Sequence, residues 1–294
     1  ALAPTPSVVP AALIRTRGGG TTAALPPFPA VAAAALPTIP TLVSAAVLPT
    51  CLGLWRSGYT VSYGYGGAMA FAGATMLRCA ELSGLAKAHA AALFFYGVRL
   101  NLFLLYRELS LPVEIHQMKR RDASPLARLK RAPVIIGCSL LYYCMAAPLR
   151  VTAMAPAGTA AASAAVAVAF AGFGIAATGD IMKTIVKARE GKDFLVTSGP
   201  FRWLRHPNYT GELIGWTASV VAAAIVAISS GASFARAVAP WLVGSLVGWV
   251  GILFVLAGEA TAGLEKKQKE KYGGDPKYEA WVKGSWAGPM IAMG

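Results

Sequence analysis

Apolar segments close to bilayer length recur along this chain, and short stretches crowded with lysine and arginine separate them. A helix needs roughly 20 apolar residues to cross the hydrocarbon core. Residues 59–77, 88–106, 133–151, 158–178, 213–228 and 241–256 come near that length. A further stretch, 41–55, is apolar but short and broken by Pro49. It reads as a re-entrant or interfacial segment, or as a poor first span. The chain is 56% hydrophobic and 14% charged, with a mean hydropathy of +0.55. Soluble domains run near ~25% charged. The expectation is all-α: a polytopic transmembrane helix bundle of six to seven spans with a Pro/Ala-rich N-terminal extension.

The net charge of +14 does not mark a nucleic-acid partner, because the basic residues are gathered between spans. Lys119, Arg120, Arg121, Arg128, Lys130 and Arg131 precede the third span. Lys183, Lys187, Arg189, Lys192, Arg202 and Arg205 lie between the fourth and fifth, and a lysine-rich segment from Lys266 to Lys283 follows the sixth. With single crossings all three groups fall on one membrane face. By the positive-inside rule that face is cytosolic, stromal or matrix. There the charges orient spans and attract lipid headgroups or an anionic cofactor. The four cysteines and three histidines are scattered, which favours neither a disulfide framework nor a metal centre.

The beginning of the sequence has its own character. No Asp or Glu precedes Glu81, and Ala, Pro, Thr and Val dominate the first fifty residues. Acid-poor leaders of this kind resemble organelle transit segments. Residues 1–58 are therefore read as an extension, residual targeting sequence or a partner-wrapping segment, and 59–294 as the membrane domain. An organelle membrane is favoured, plastid or thylakoid ahead of mitochondrion, with the endoplasmic reticulum left open.

The chemistry concentrates in residues 198–212. Pro207 suits the first turn of a helix that continues into the membrane, and Arg202 and Arg205 flank its positive N-terminal end. That arrangement suits an anion such as a diphosphate. His206 can exchange protons near neutral pH, and Tyr209 can donate a hydrogen bond to a carbonyl while its ring lies on an apolar substrate. Glu212 can orient Tyr209 or an arginine. The same residues could instead anchor lipid phosphates, cap the helix and form a salt bridge. Arg99 and Asn101 fall inside the 88–106 span, where a cation needs a partner or a wet cavity. They are assigned to a substrate site or a structural network, with Glu81 a partner only if helices reach across.

The run Arg205-His206-Pro207-Asn208-Tyr209, followed by Gly211-Glu212, resembles the C-terminal signature of the DUF1295 family. That family sits among membrane enzymes like steroid 5-alpha-reductase and isoprenylcysteine carboxyl methyltransferase. Tyr96-Gly97-Val98-Arg99-Leu100 resembles an earlier family stretch, and Leu264-Glu265, Tyr272 and Tyr278 resemble its tail. In the reductase branch the resemblance implies NADPH, held by Asp180, Lys183, Arg202, Arg205, Asn208, Glu265, Tyr272 and Tyr278. Catalysis then falls to Tyr209, His206 and Glu212, acting on an apolar enone drawn from membrane lipid. The methyltransferase branch implies S-adenosylmethionine, but its tail carries tandem Glu-Glu where Leu264-Glu265 stands here. A third reading is a non-catalytic accessory subunit of a larger organelle membrane complex, photosynthetic or respiratory.

Overall fold

The computed structural model describes residues 36–110, 128–155 and 158–289, and they fold into helices joined by short turns, with a single isolated bridge between Leu204 and Trp286. Lys119, Arg120 and Arg121 and the first 35 residues lie outside the described residues. Helix α1 (Ile39–Thr50) opens at Thr38, whose hydroxyl accepts from the Thr41 amide, and it ends beyond Pro49. Helix α2 (Leu52–Trp55) continues it. Next come α3 (Tyr63–Leu77), α4 (Gly84–Ser110), α5 (Ala132–Met154), α6 (Ala160–Glu190), α7 (Pro207–Ser229) and α8 (Ala232–Leu253). A π-helical stretch, Phe254–Ala260, leads from α8 into α9 (Thr261–Tyr272), and α10 (Pro276–Gly284) closes the chain.

Among the described residues five helices are long and apolar enough to cross a membrane: α4, α5, α6, α7, and α8 with its continuation to Tyr272. The chain is an integral membrane helix bundle. One expected span needs correction, and one segment left open narrows to fewer readings. The 59–77 segment forms a helix of only 15 residues, because a tight turn at Ser57–Tyr59 takes up its start. The 41–55 segment does not re-enter. Arg150, near the end of α5, donates to the Pro37 carbonyl, and Arg131, before its start, donates to the Gly53 carbonyl at 2.9 Å. Pinned near both ends of α5, α1 and α2 lie along it for about 25 Å at ~1.5 Å per residue, less than the length of the 23-residue α5. Helix α6 is 31 residues long, so Asp180, Lys183 and Lys187 ride on a helix rather than in a loop.

The charge pattern matches the geometry. The end of α4, the start of α5, the end of α6, the start of α7 and all of α9 gather on one face. Contacts across that face tie them: Arg56 to Glu108 at 2.5 Å, Tyr59 and Tyr63 to Glu108 at 2.6 and 2.9 Å, and Lys271 to Asp193. Burial, and then the bond to Glu108, push the Tyr59 phenol up. It therefore stays a neutral donor to that carboxylate.

Inside the bundle an aromatic core joins five helices, α3 to α7. Tyr96 and Phe173 lie 4.7 Å apart, Phe173 and Trp216 5.0 Å, and Tyr65 and Tyr142 5.1 Å, centroid to centroid. His89 is fully buried between Thr152 (3.0 Å) and Ser219 (2.7 Å), which satisfies both ring nitrogens across α5 and α7. The closest seam is α6 against α7. A Cβ on Gly211 would stand 2.5 Å from the Ala176 nitrogen, with the Gly172 carbonyl beside it. Small residues let helix backbones touch in lipid, where dispersion and not hydrophobic burial drives association. Gly211→Ala should therefore push α7 off α6 and destabilise the bundle by about 1–3 kcal/mol. Gly174→Ala, which would meet nothing within 4 Å, should be neutral or mildly stabilising. Thermal melts in detergent, followed by far-UV circular dichroism, separate the two.

Candidate functional site

The polar centre starts from Arg99 of α4. Its guanidinium lies 2.7 Å from Asp180 of α6 and 3.7 Å from Glu212 of α7, and all three side chains are nearly buried. Tyr96, one turn earlier, places its ring under the same guanidinium at 4.8 Å. Glu212 also accepts from the Tyr65 hydroxyl of α3 at 3.3 Å. Asn208 reaches the Asp180 carboxylate, and its backbone nitrogen would stand 2.9 Å from a Cβ on Gly179. Four helices thus supply one buried constellation of a cation, two carboxylates, an amide and two phenols.

Glu81 takes no part in it. It is exposed in the turn between α3 and α4, at the other end of the bundle, and the partners of Arg99 come from Asp180 and Glu212. Asn101 turns toward the glycines of α3, with its amide nitrogen 3.6 Å from where a Cβ of Gly67 would lie.

The motif Arg205–Glu212 splits into separate jobs. Arg202 ends the short turn Gly199–Arg202 and is exposed. Arg205 is 9% exposed and points inward. It donates to Glu265 at 2.9 Å and to the carbonyls of Val282 and Ser285 at 3.1 and 2.6 Å. His206 is 2% exposed and shares Glu265 at 2.6 Å through Nε2. It is the residue before α7, yet its side chain caps no amide. Backbone bonds from Arg205 to Trp286 and from Trp286 to Trp203, both 2.8 Å, complete a clamp on the C-terminal segment. Tyr278 is buried in that clamp, near Trp281, whose indole donates to the Phe201 carbonyl at 2.6 Å. Tyr209 is half-buried, its ring stacked 6.2 Å from that of His206. Glu212 bonds Tyr65 and Arg99, and does not reach Tyr209.

Below the polar centre, on the basic face, a pocket of about 140 Å³ lies between the end of α6, the chain at Phe194–Val196 and α9. Lys183, Lys187, Lys267, Lys271 and Tyr272 line it, with Phe194 on one wall. Lys183 is one helical turn beyond Asp180, so pocket and polar centre share a helix. Tyr272 donates to the Asp193 carbonyl at 3.0 Å. Of the residues expected from sequence, Arg99, Asp180, Asn208 and Glu212 meet in the centre, with Tyr209 beside them. Lys183 and Tyr272 meet in the pocket, while Arg205, His206, Glu265 and Tyr278 form the clamp. Arg202 joins none of these groups. Tyr65, Lys187, Lys267 and Lys271 were not marked as site residues. The lysines carry a signal, since 267 and 271 recur at helical spacing, whereas Tyr65 carries none.

Two outcomes test this division. Arg99→Met should leave Asp180 and Glu212 without their cation and cost about 3–5 kcal/mol. Replacing Asp180 by Asn in the same chain should recover part of that loss, as read by a double-mutant cycle of detergent melts. Arg205→Ala removes a charged donor from three acceptors, worth about 1.5–3 kcal/mol per bond of this kind. It should expose residues 273–289 to limited proteolysis, and protection unchanged from wild type would remove the clamp role. No curated protein and no solved structure matches the chain significantly. A family model does match residues 60–284, spanning every helix from α3 to α10, and by that match the chain belongs to the DUF1295 family, described as proteins of unknown function.

Proposed function

We propose that this chain is a membrane reductase that uses NADPH to reduce a polarised carbon–carbon double bond, such as an enone, in a lipid-like substrate. One observation carries the reading: four lysines line a pocket that shares α6 with a buried acid–arginine–tyrosine centre. A polyanionic nucleotide suits that lining. S-adenosylmethionine, with its sulfonium cation and zwitterionic tail, gains nothing from four positive charges. The donor set fits phosphates: Lys183, Lys187, Lys267 and Lys271 would hold them as point charges, and Phe194 offers a wall for a base. Asp180 and Asn208, one turn further along, supply an acceptor and an amide for the sugar or the ring beyond it.

When bound, NADPH supplies a hydride. The remaining work falls to the chain's own side chains. Tyr209 holds its proton at Oη and donates to the substrate carbonyl, where negative charge develops as the double bond is reduced. Its hydroxyl is not drawn to Glu212, whose bonds go to Tyr65 and Arg99. His206, fixed by Glu265, keeps the tyrosine ring in place. Arg99 holds the two carboxylates against each other's repulsion.

Calorimetric titration of the detergent-purified chain tests the reading. NADPH should bind, and Lys267→Glu with Lys271→Glu should weaken it at least tenfold. Tyr209→Phe should leave that binding unchanged and lower turnover of an enone lipid by about 10²–10⁴-fold, the range of a lost general acid. Binding of S-adenosylmethionine alone would replace the reading with a methyltransferase. Binding of neither would replace it with an accessory subunit of a larger membrane complex.

A further inference from the structure

One side of the lysine pocket is formed by the chain that leaves α6, residues 191–196. Phe194, Leu195 and Val196 of this strap are part of the pocket wall. Its two ends are fixed differently. Gly191 turns the chain out of α6 at φ +99°, a conformation glycine takes without strain. Val196 is buried and anchors the other end. Between them Lys192, Asp193 and Phe194 are exposed, so packing alone does not hold the middle of the strap.

What holds it is the polar lining of the pocket itself. Lys187 donates to the Lys192 carbonyl at 2.6 Å, Lys271 pairs with the Asp193 carboxylate, and Tyr272 donates to the Asp193 carbonyl at 3.0 Å. All three donors also line the pocket. The Lys271 ammonium bonded to it holds the Asp193 carboxyl below its usual range, so the strap presents a full negative charge. For two cations these are weak contacts. An ion pair as exposed as this one, 43% and 71% for its two side chains, contributes little. An ammonium bonded to a carbonyl likewise gains less than one bonded to an ionised oxygen. A diphosphate in the pocket offers charged oxygens to both lysines at once.

We infer that residues 191–196 are an internal competitor for the pocket: a polyphosphate entering it takes Lys187 and Lys271 from the strap, and the strap swings open about Gly191. The inference rests on the pocket being an anion site, as in the reductase reading, but not on which nucleotide fills it or on any reaction. Strap and anion compete for the same ammonium groups, so loosening one tightens the other by the same factor. Asp193 thus sets the affinity for the ligand without touching it. Release of the strap also frees Phe194 to settle on the ligand after its phosphates are bound.

Titration of the full chain in detergent with inorganic pyrophosphate, read by calorimetry, provides the test. Asp193→Asn should bind it about twofold to fivefold tighter than wild type, the worth of an exposed ion pair. In a Lys271→Met background the same change should gain nothing, because the contact it relieves is already gone. Hydrogen exchange read by mass spectrometry gives a second readout. Saturating pyrophosphate should speed exchange in peptides covering 192–195 and leave α6 and α9 as protected as before, whereas a ligand that merely covered the strap would slow it. A gain that persists with Lys271→Met would reduce Asp193 to a general charge effect and overturn the inference, as would strap amides that slow or stay unchanged. Pyrophosphate binding to none of the variants would overturn it together with the anion site. Coupling found in a chain that fails to bind NADPH would leave the strap standing and remove the reductase reading.

Discussion

A guanidinium inside the bilayer is the constraint from which the rest of this structure follows. Arg99 sits more than a helical turn from either end of α4, and a lone cation there is expensive. The bundle answers by bringing Asp180 and Glu212 from two other helices to it. Those contacts set the rotation of α4, α6 and α7 about their axes, because each carboxylate can reach the arginine from one side of its helix only. The glycine seam between α6 and α7 then becomes necessary. Two carboxylates can share one arginine only if their backbones lie close, and Gly172 and Gly211 permit that approach.

On the basic face, cations of similar appearance in the sequence do different work. Arg205 is consumed by protein acceptors, and its planar fork reaches three of them at once. The pocket lysines, by contrast, leave their ammonium groups around a cavity, with only Lys271 and Lys187 bonded to neighbouring chain. The arginine holds shape, and the lysines hold charge.

The helical class, the basic face and the spans from α4 onward were legible in the sequence, because hydrophobic length and charge asymmetry are local quantities. The segment 39–55 was obscured by Pro49 and by its division into two short helices. Its depth is set by hydrogen bonds from Arg131 and Arg150, which no local pattern reveals. Glu212 and Asp180 could be marked as site residues from the motif and from their placement, yet their common partner could not. Arg99 looked toward Glu81 in sequence, while the fold puts Glu81 at the opposite end. Arg205 is the clearest case. An arginine beside a helix N-terminus reads as an anion ligand until the C-terminal segment, some eighty residues later, is seen folded against it. Tyr65 lay in a glycine-rich stretch with nothing to mark it.

The π-helical stretch between α8 and α9 has a consequence for the lysine pocket. Wide turns of this kind admit an extra residue into a helix, which rotates everything after it by roughly 100°. The Thr261 amide closes the wider ring on the Leu256 carbonyl five residues back, and the Thr261 hydroxyl donates to the same carbonyl at 2.7 Å. Glu265 faces Arg205, and Lys267 and Lys271 face the cavity, only because of the phase that this stretch imposes. The charge of the pocket is therefore indexed from within the bilayer. Any lineage that lost or gained one residue there would keep its lysines, its composition and its topology, and would still turn the cations out to solvent.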